Sequence, residues 1–218
     1  RARELGEFTH LSGAIMKEWD PGTHMIEPFK IPRNWPIYCV MDPHNARPPF
    51  AAWFAHSPDD DLYLIAEYPP VPWQSAKGGE NVSTTGKGFR EIEKYFRQQV
   101  VFRLSDPALG KFKTQAQSEE INLKTEFAKE GFHFIDAENG FDVGMSRLRG
   151  RLLYDRGKPV TQTNRPSFYV MTSNPYSGEP IINVPRAMNE WVYKKGAYIK
   201  ASDGSASSKV QEAWKDPM

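Results

Sequence analysis

Three short apolar runs follow one another closely in the first third of the chain, and they limit the possible folds more than any other feature. They occupy residues 37–41, 50–56 and 62–68. Each has the length of a β-strand and contains β-branched or aromatic residues. The segment SPDDD at 57–61 predicts a tight hairpin turn between the second and third runs. We therefore expect an antiparallel meander of three strands.

The remainder of the chain mixes candidate strands with candidate helices. An apolar run at 100–104 predicts a buried strand, and shorter runs predict strands at 132–137 and 167–172. Apolar residues at helical spacing predict helices at 89–99, 123–129, 142–154 and 184–195. Gly131 is placed to end the second of these helices. Strands that come first and then mix with helices favour an α/β or α+β sheet domain.

Charge and cysteine content exclude few functions by themselves. The chain has 28 Lys and Arg against 27 Asp and Glu, a formal net charge of +1. A nucleic-acid-binding protein with this balance must concentrate its basic residues on one face. The single cysteine, Cys39, rules out an intramolecular disulfide and fits a reducing compartment. No apolar run approaches the length of a membrane span.

Two of the apolar runs lead into an aspartate followed by proline. Asp42 follows the run at 37–41, and Asp106 follows the run at 100–104 after one serine. Polar residues just past the ends of neighbouring strands meet in one crevice of an open sheet. Two carboxylates there would repel each other unless a cation joined them, and Mg²⁺ is often held by one or two carboxylates. Alternatively, each aspartate simply starts a turn, where Asp-Pro is common.

A series of short motifs then runs in order along nearly the whole chain. GEF at 6–8 precedes IPRNW at 31–35 and the strand ending at Asp42. LSDPALG at 104–110 follows, and then EFAKEGFHFIDAENGFDVGMSRLRGRLL at 126–153. In order and spacing these motifs resemble the nuclease domain of the large terminase subunit of tailed bacteriophages. That family joins an ATPase to the nuclease through a similar GEF segment.

The resemblance implies a fold, a reaction and a metal site. The implied fold is an α/β, ribonuclease H-like mixed sheet, with an antiparallel three-strand meander and parallel strands, flanked by helices. The implied reaction is metal-dependent cleavage of concatemeric double-stranded viral DNA, with two Mg²⁺ or Mn²⁺ ions held by three acids. Asp42 matches the first acid, Asp106 matches the second, and Asp216 is the candidate for the third. A last family acid would lie beyond Met218.

The resemblance also implies a domain organisation and a set of partners. Residues 1–36 would connect to an upstream ATPase domain, and 37–218 would form a nuclease domain truncated at its C-terminal end. Double-stranded DNA, the portal and the small terminase subunit are the expected partners, in the host-cell cytoplasm and without a membrane. A Holliday-junction resolvase, a transposase-like nuclease, or a non-catalytic module that docks DNA or the portal remain alternatives with this fold.

The segment NVSTTGKGF at 81–89 departs from a phosphate-binding loop at two positions. Asn81 stands where the first glycine is required, and Gly88 stands where Ser or Thr is required. We therefore expect no bound nucleotide, and we predict a mobile loop facing the substrate.

Several other residues have both a functional and a structural interpretation. Five basic residues could follow a DNA backbone or form a solvated face: Lys111, Lys113, Arg147, Arg149 and Arg151. Three acids could bind a metal but fit a solvated loop better: Asp136, Glu138 and Asp142. His44 could touch a metal-bound water or a phosphate, although a surface turn residue is the simpler interpretation. Glu67 could face the crevice of Asp42 or face solvent at a sheet edge.

Overall fold

The chain folds around a mixed β-sheet of seven strands. A computed structural model describes residues 15–44, 47–76, 81–107, 109, 122–138 and 140–190, together with the backbone of 198–200 and 206–208. In chain order the strands are β1 (Met25–Ile26), β2 (Ile37–Asp42), β3 (Phe50–His56), β4 (Leu62–Tyr68), β5 (Val100–Ser105), β6 (Ile135–Asp136) and β7 (Phe168–Met171). Across the sheet the order is β1-β7-β4-β3-β2-β5-β6. A separate hairpin consists of β8 (Tyr198–Lys200) and β9 (Ala206–Ser208).

Five α-helices accompany the sheet in the part of the chain that the structure describes. They are α1 (Pro21–His24), α2 (Val82–Glu93), α3 (Leu123–Lys129), α4 (Phe141–Leu152) and α5 (Asn183–Glu190). The bounds predicted for α3 are confirmed. Gly131 follows it with a φ of 83°, in the left-handed region that glycine adopts at a helix end. The helix predicted at 184–195 is seen as α5, and residues 191–197 lie outside the described residues.

The predicted antiparallel meander is confirmed. β2 pairs with β3 and β3 pairs with β4, both antiparallel. Burial alternates along β2, where Ile37, Cys39 and Met41 are buried while Val40 and Asp42 are exposed. This alternation is typical of a strand whose two faces have different surroundings.

Parallel strands extend the meander on both sides. β5 pairs parallel to β2 and β6 parallel to β5, while β7 pairs parallel to β4 and β1 parallel to β7. A mixed sheet of this kind flanked by helices confirms the predicted α/β, ribonuclease H-like fold. The prediction that β5 is buried is wrong, because Val101 and Phe102 are 49% and 54% exposed. An apolar run reports strand propensity and does not report which neighbour covers it.

Helix α2 corrects the prediction of a mobile loop at 81–89. Asn81 caps the helix, with its Oδ1 accepting the Thr84 backbone N–H at 2.8 Å. The glycines that suggested a loop instead allow close packing on the sheet. A Cβ atom at Gly88 would lie 2.3 Å from the Tyr68 ring, so only glycine fits this approach. Phe89 then packs between Trp53 and Tyr68, with ring centroids 5.2 Å from each.

Several predicted elements are shorter or less buried than expected. The helix predicted at 89–99 ends at Glu93, and Tyr95 is exposed. The strand predicted at 132–137 contains only Ile135–Asp136. On α4, the predicted apolar face is wrong at its two ends, because Val143 and Leu153 are exposed. Leu152 is fully buried, and Met145 and Leu148 pack partly buried against the core.

Residues 15–26 pack onto the same domain and add strand β1 to the sheet edge. Trp19 is buried and donates its Nε1–H to Asn189 of α5 at 3.0 Å. His24 is buried, and its Nε2 lies 2.9 Å from the Leu152 carbonyl oxygen. The division into a connector at 1–36 and a nuclease domain at 37–218 stays a prediction.

Candidate active site

The backbone brings Asp42 and Asp106 side by side. β2 and β5 are parallel neighbours in which Met41 pairs with Ser105, and each aspartate is the next residue. The Asp106 backbone N–H donates to the Met41 carbonyl oxygen at 3.3 Å, which continues the ladder one residue past the strand. Neighbouring strands lie about 4.8 Å apart. The two aspartates therefore sit at the same carboxyl edge of the sheet, as a crevice site requires.

The alternation of the pleat assigns both acids to one face. Tyr38 pairs with Phe102 and Val40 pairs with Leu104, so the next pair in this series is Asp42 with Asp106. Asp42 is exposed and Asp106 is half-buried. Both side chains are therefore at least partly exposed to solvent at the sheet edge. That the two residues share a metal ion stays a prediction.

The chain turns directly after each of the two aspartates. After Asp106 the chain turns, with the Leu109 backbone N–H donating to the Asp106 carbonyl oxygen at 2.9 Å, and Leu109 is 1% exposed. After Asp42 the chain passes through Pro43 and returns to Phe50, the cross-strand partner of Asp42. Both acids thus stand at the ends of paired strands.

The turn between β2 and β3 builds an aromatic and basic cluster next to Asp42. The His44 ring meets the Trp73 ring edge to face, with centroids 5.1 Å apart. The Arg47 guanidinium carbon lies 4.9 Å from the centroid of the same Trp73 ring. Burial, and secondarily the charge of Arg47, lowers the pKa of His44 below its usual range. His44 is exposed to solvent, and one side of its ring packs against Trp73.

Glu67 does not face solvent at a sheet edge, and the alternative that it faces the crevice of Asp42 stays a prediction. It is 6% exposed, and its carboxylate accepts the backbone N–H groups of Ile182, Asn183 and Val184 at 2.6 to 3.1 Å. These groups form the N-terminal end of α5, which favours a negative charge. Burial raises the pKa of Glu67, while the three N–H donors act in the opposite direction. Glu67 therefore anchors α5 at the carboxyl edge of the sheet.

The basic residues predicted to follow DNA are placed differently from one another. Arg149 donates to the Ile15 carbonyl oxygen at 2.6 Å, and Arg151 donates to the carbonyl and carboxylate oxygens of Asp60 at 2.6 and 3.0 Å. Arg147 is exposed on α4. Three predicted site residues lie outside the described residues: Lys111, Lys113 and Asp216. A DNA-binding role for this set stays a prediction.

A third metal ligand is not found among the residues that the structure describes. No group of three or more His, Cys, Asp or Glu side chains in that part of the chain could hold a metal ion. The exposed Asp136 pairs with Lys124 at 2.8 Å, which agrees with the solvated-loop interpretation of the acids around it. Among the described residues, the candidate oxygen donors at this edge are the carboxylates of Asp42 and Asp106, and their binding of a metal stays a prediction. Two such carboxylates suit a hard cation whose other ligands are water and substrate phosphate.

Sequence reasoning did not find the cluster around Trp73. Trp73 follows a proline-rich stretch and begins a short 3₁₀ turn at Trp73–Ser75. Its partners His44 and Arg47 are distant in sequence, so no periodic pattern joins them. An aromatic residue among turn residues is the only local signal.

The topology defines a ribonuclease H-like fold, with two aspartates at the same carboxyl edge of its sheet. No protein-family model and no curated protein matches the sequence. Solved structures do match. The large terminase of a thermophilic bacteriophage, in complex with ADP, gives a TM-score of 0.61 at 12% identity, covering 84% of this chain and 38% of that one. The nuclease domain of the P22 large terminase gives 0.51 at 16% identity, covering 91% of this chain and 85% of that one.

These matches confirm the predicted resemblance at the level of the fold. The chain spans well under half of the large terminase from the thermophilic bacteriophage but most of the P22 nuclease domain. It is therefore similar in structure to the nuclease domain of a large terminase. Among the described residues, no helix is long and apolar enough to cross a membrane.

Proposed function

We propose that this chain is a divalent-metal-dependent endonuclease domain that cuts double-stranded DNA, as part of a large terminase that packages viral DNA. The observation that carries the proposal is the ladder hydrogen bond from the Asp106 backbone N–H to the Met41 carbonyl oxygen. It continues the strand register and brings the two aspartates together at the carboxyl edge. The fold shared with the P22 large terminase nuclease domain supports the same conclusion.

The described residues supply part of the ligand set that a pair of Mg²⁺ or Mn²⁺ ions requires. Asp42 and Asp106 supply hard anionic oxygen ligands from rigid strand ends, and Asp216 is proposed as the further ligand. When bound, two such ions activate a water and stabilise the leaving oxygen of a phosphodiester. The role of the chain itself is to hold both acids adjacent and accessible at one edge. Asp42 and Asp106 would also exclude a phosphate from their site when no cation is present, because like charges repel.

The setting of the reaction is also part of the proposal, and the fold match supports it. In the whole protein, an ATPase domain, the portal and the small terminase subunit would deliver concatemeric DNA to this domain. A net charge of +1 suits a domain that receives its substrate at high effective concentration and need not bind it tightly alone. The proposed location is the host-cell cytoplasm.

The test is cleavage of DNA by the 218-residue chain. We expect nicking and linearisation of a plasmid with Mg²⁺ or Mn²⁺ and no cleavage with EDTA. Asp42→Asn should lower the rate by at least about 100-fold while the circular dichroism spectrum and melting temperature stay unchanged, since an amide keeps the shape but removes an anionic ligand.

The matched control is Asp59→Asn, which removes an exposed carboxylate in the β3–β4 turn at the other end of the strands. It should cut at the wild-type rate. Undiminished cleavage by Asp42→Asn, or cleavage that survives chelation, would contradict the proposed mechanism. Branched duplexes and RNA–DNA hybrids, compared with linear duplex, separate a resolvase-like or hybrid-specific enzyme from the proposed one.

A further inference from the structure

The turn between β2 and β3 places an arginine beside the candidate active site. Asp42 and Phe50 pair across the two strands, so the described turn residues 43, 44 and 47–49 belong to the connection at the edge that carries the acids. Arg47 lies three residues before Phe50, and its Cα is therefore at most roughly 11 Å from that of Phe50. Its long side chain is within reach of a group bound at Asp42.

The guanidinium of Arg47 is held on a fixed platform. It lies over the Trp73 ring, 4.9 Å from the centroid, and the Arg47 backbone N–H donates to His44 Nδ1 at 3.0 Å. Trp73 is itself fixed at two points. Its Nε1–H donates to the Pro48 carbonyl oxygen at 3.0 Å, and its backbone N–H donates to Asn183 Oδ1 at 2.8 Å. The platform therefore connects the turn to α5.

Among the described residues, no carboxylate lies within 4 Å of the Arg47 guanidinium. The other half-buried arginines in the described part of the chain each pair with an acid: Arg90 with Glu130, Arg103 with Glu93, Arg149 with Glu18, Arg151 with Asp60 and Arg165 with Asp61. Arg47 is half-buried, positioned and without such a partner in the described part of the chain, at the edge that carries Asp42 and Asp106. Its N–H groups remain available for an external anion.

We infer that Arg47, held on Trp73, contacts a phosphate of the DNA strand bound at Asp42 and Asp106. A guanidinium stacked on an aromatic ring keeps its N–H edge free for a bidentate contact to phosphate. The stacking also reduces the conformational entropy lost on binding. The inference rests on the proposed function, and it assigns a DNA-contacting residue that sequence analysis did not identify.

The test is binding of a fluorescein-labelled linear duplex of about 30 base pairs in the presence of Ca²⁺, a hard cation that takes carboxylate and phosphate oxygens. Binding is measured by anisotropy over a range of salt concentrations, and a gel checks that the duplex stays uncut. Arg47→Gln should weaken binding about tenfold, the effect of losing one charged hydrogen-bonded contact. It should also reduce the slope of log affinity against log salt by about one, because one phosphate contact is lost. A merely structural role for Arg47 would leave that slope unchanged.

Two further variants make the result specific. Arg33→Gln removes an exposed arginine before the amino end of β2, at the end of the strand opposite to Asp42. This variant should change the affinity by less than about twofold. Trp73→Leu removes the platform, and adding Arg47→Gln to it should cost less than in the wild type, since the two residues act as a unit. Arg47→Lys should recover the salt slope but only part of the affinity.

The outcomes separate this inference from the proposed function. If Arg47→Gln matches Arg33→Gln in affinity and slope while the wild type still cuts DNA, the inference is wrong and the proposed function stands. If the wild type neither binds nor cuts the duplex, the proposed function fails and the inference fails with it.

Discussion

At the scale of single residues, the pleat explains how a carboxylate can end a largely buried strand. Met41 is 1% exposed, and Asp42 is the next residue on the opposite, exposed face. Val40, on the face of Asp42, is 39% exposed although it is apolar. The strand thus buries one row of side chains and presents the other at the edge where Asp106 also lies. Asp42 therefore ends the strand without losing its contact with water, and no desolvation cost arises.

Cys39 should be chemically silent in the folded chain. It is fully buried in β2, and burial, followed by the charge of Glu93, raises the pKa of its thiol well above the usual range. The reactive thiolate is therefore scarce and inaccessible. We expect negligible labelling of the native chain by iodoacetamide at about pH 8, and one label per chain in guanidinium chloride. Rapid labelling of the native chain would show that β2 opens or is misplaced.

At the scale of elements, one buried ion pair ties α2 to the sheet. Glu93 is 0% exposed, and its carboxylate accepts Trp53 Nε1–H at 3.0 Å and Arg103 Nε–H at 3.1 Å. Glu93→Gln leaves the Arg103 charge without its partner, which typically costs about 3 to 5 kcal/mol. Chemical denaturation should show this loss. Glu91→Gln, on the same helix but exposed, is the matched control and should change stability little; an equal loss in both variants would contradict the role of the pair.

The same elements show which parts of the fold and site could be predicted from sequence. The meander and the two Asp-Pro strand ends could be predicted, because period-two burial and turn chemistry are local signals. The start of α2 could not, because Gly86 and Gly88 suggest a loop and serve tertiary packing. The contact between Arg47 and Trp73 could not either, since only the folded sheet brings the turn and the 3₁₀ segment together.

At the scale of the whole molecule, the residues before the sheet are attached through α4 and the chain that follows it. Arg156 donates to the carbonyl oxygens of Lys17, Glu18 and Trp19 at 2.9 to 3.2 Å. Tyr154 donates its hydroxyl to Asp20 Oδ2 at 2.7 Å. Residues 17–20 are therefore fixed to the chain that follows α4.

Asp20 makes this attachment dependent on pH. The Tyr154 hydrogen bond, with smaller contributions from Gly22, Thr23 and Arg156, lowers the pKa of Asp20 below its usual range despite partial burial. A carboxyl group whose pKa is lower in the folded state stabilises the fold above its unfolded pKa, about 3.9, and this contribution is lost as the pH falls through the folded pKa. Asp20→Asn should therefore destabilise the chain by about 1 to 2 kcal/mol at pH 7.

The difference between wild type and Asp20→Asn should stay constant from about pH 7 to about pH 5 and shrink below about pH 4, where the wild-type carboxyl is also protonated. Urea denaturation across this pH range measures it, with Asp59→Asn as the exposed control. Hydrogen exchange should show the loss first at the Met25 and Ile26 amides, because β1 pairs with β7 through only two residues. A difference that grows on acidification would mean that the carboxylate of Asp20 destabilises the attachment, contrary to the geometry of its donors.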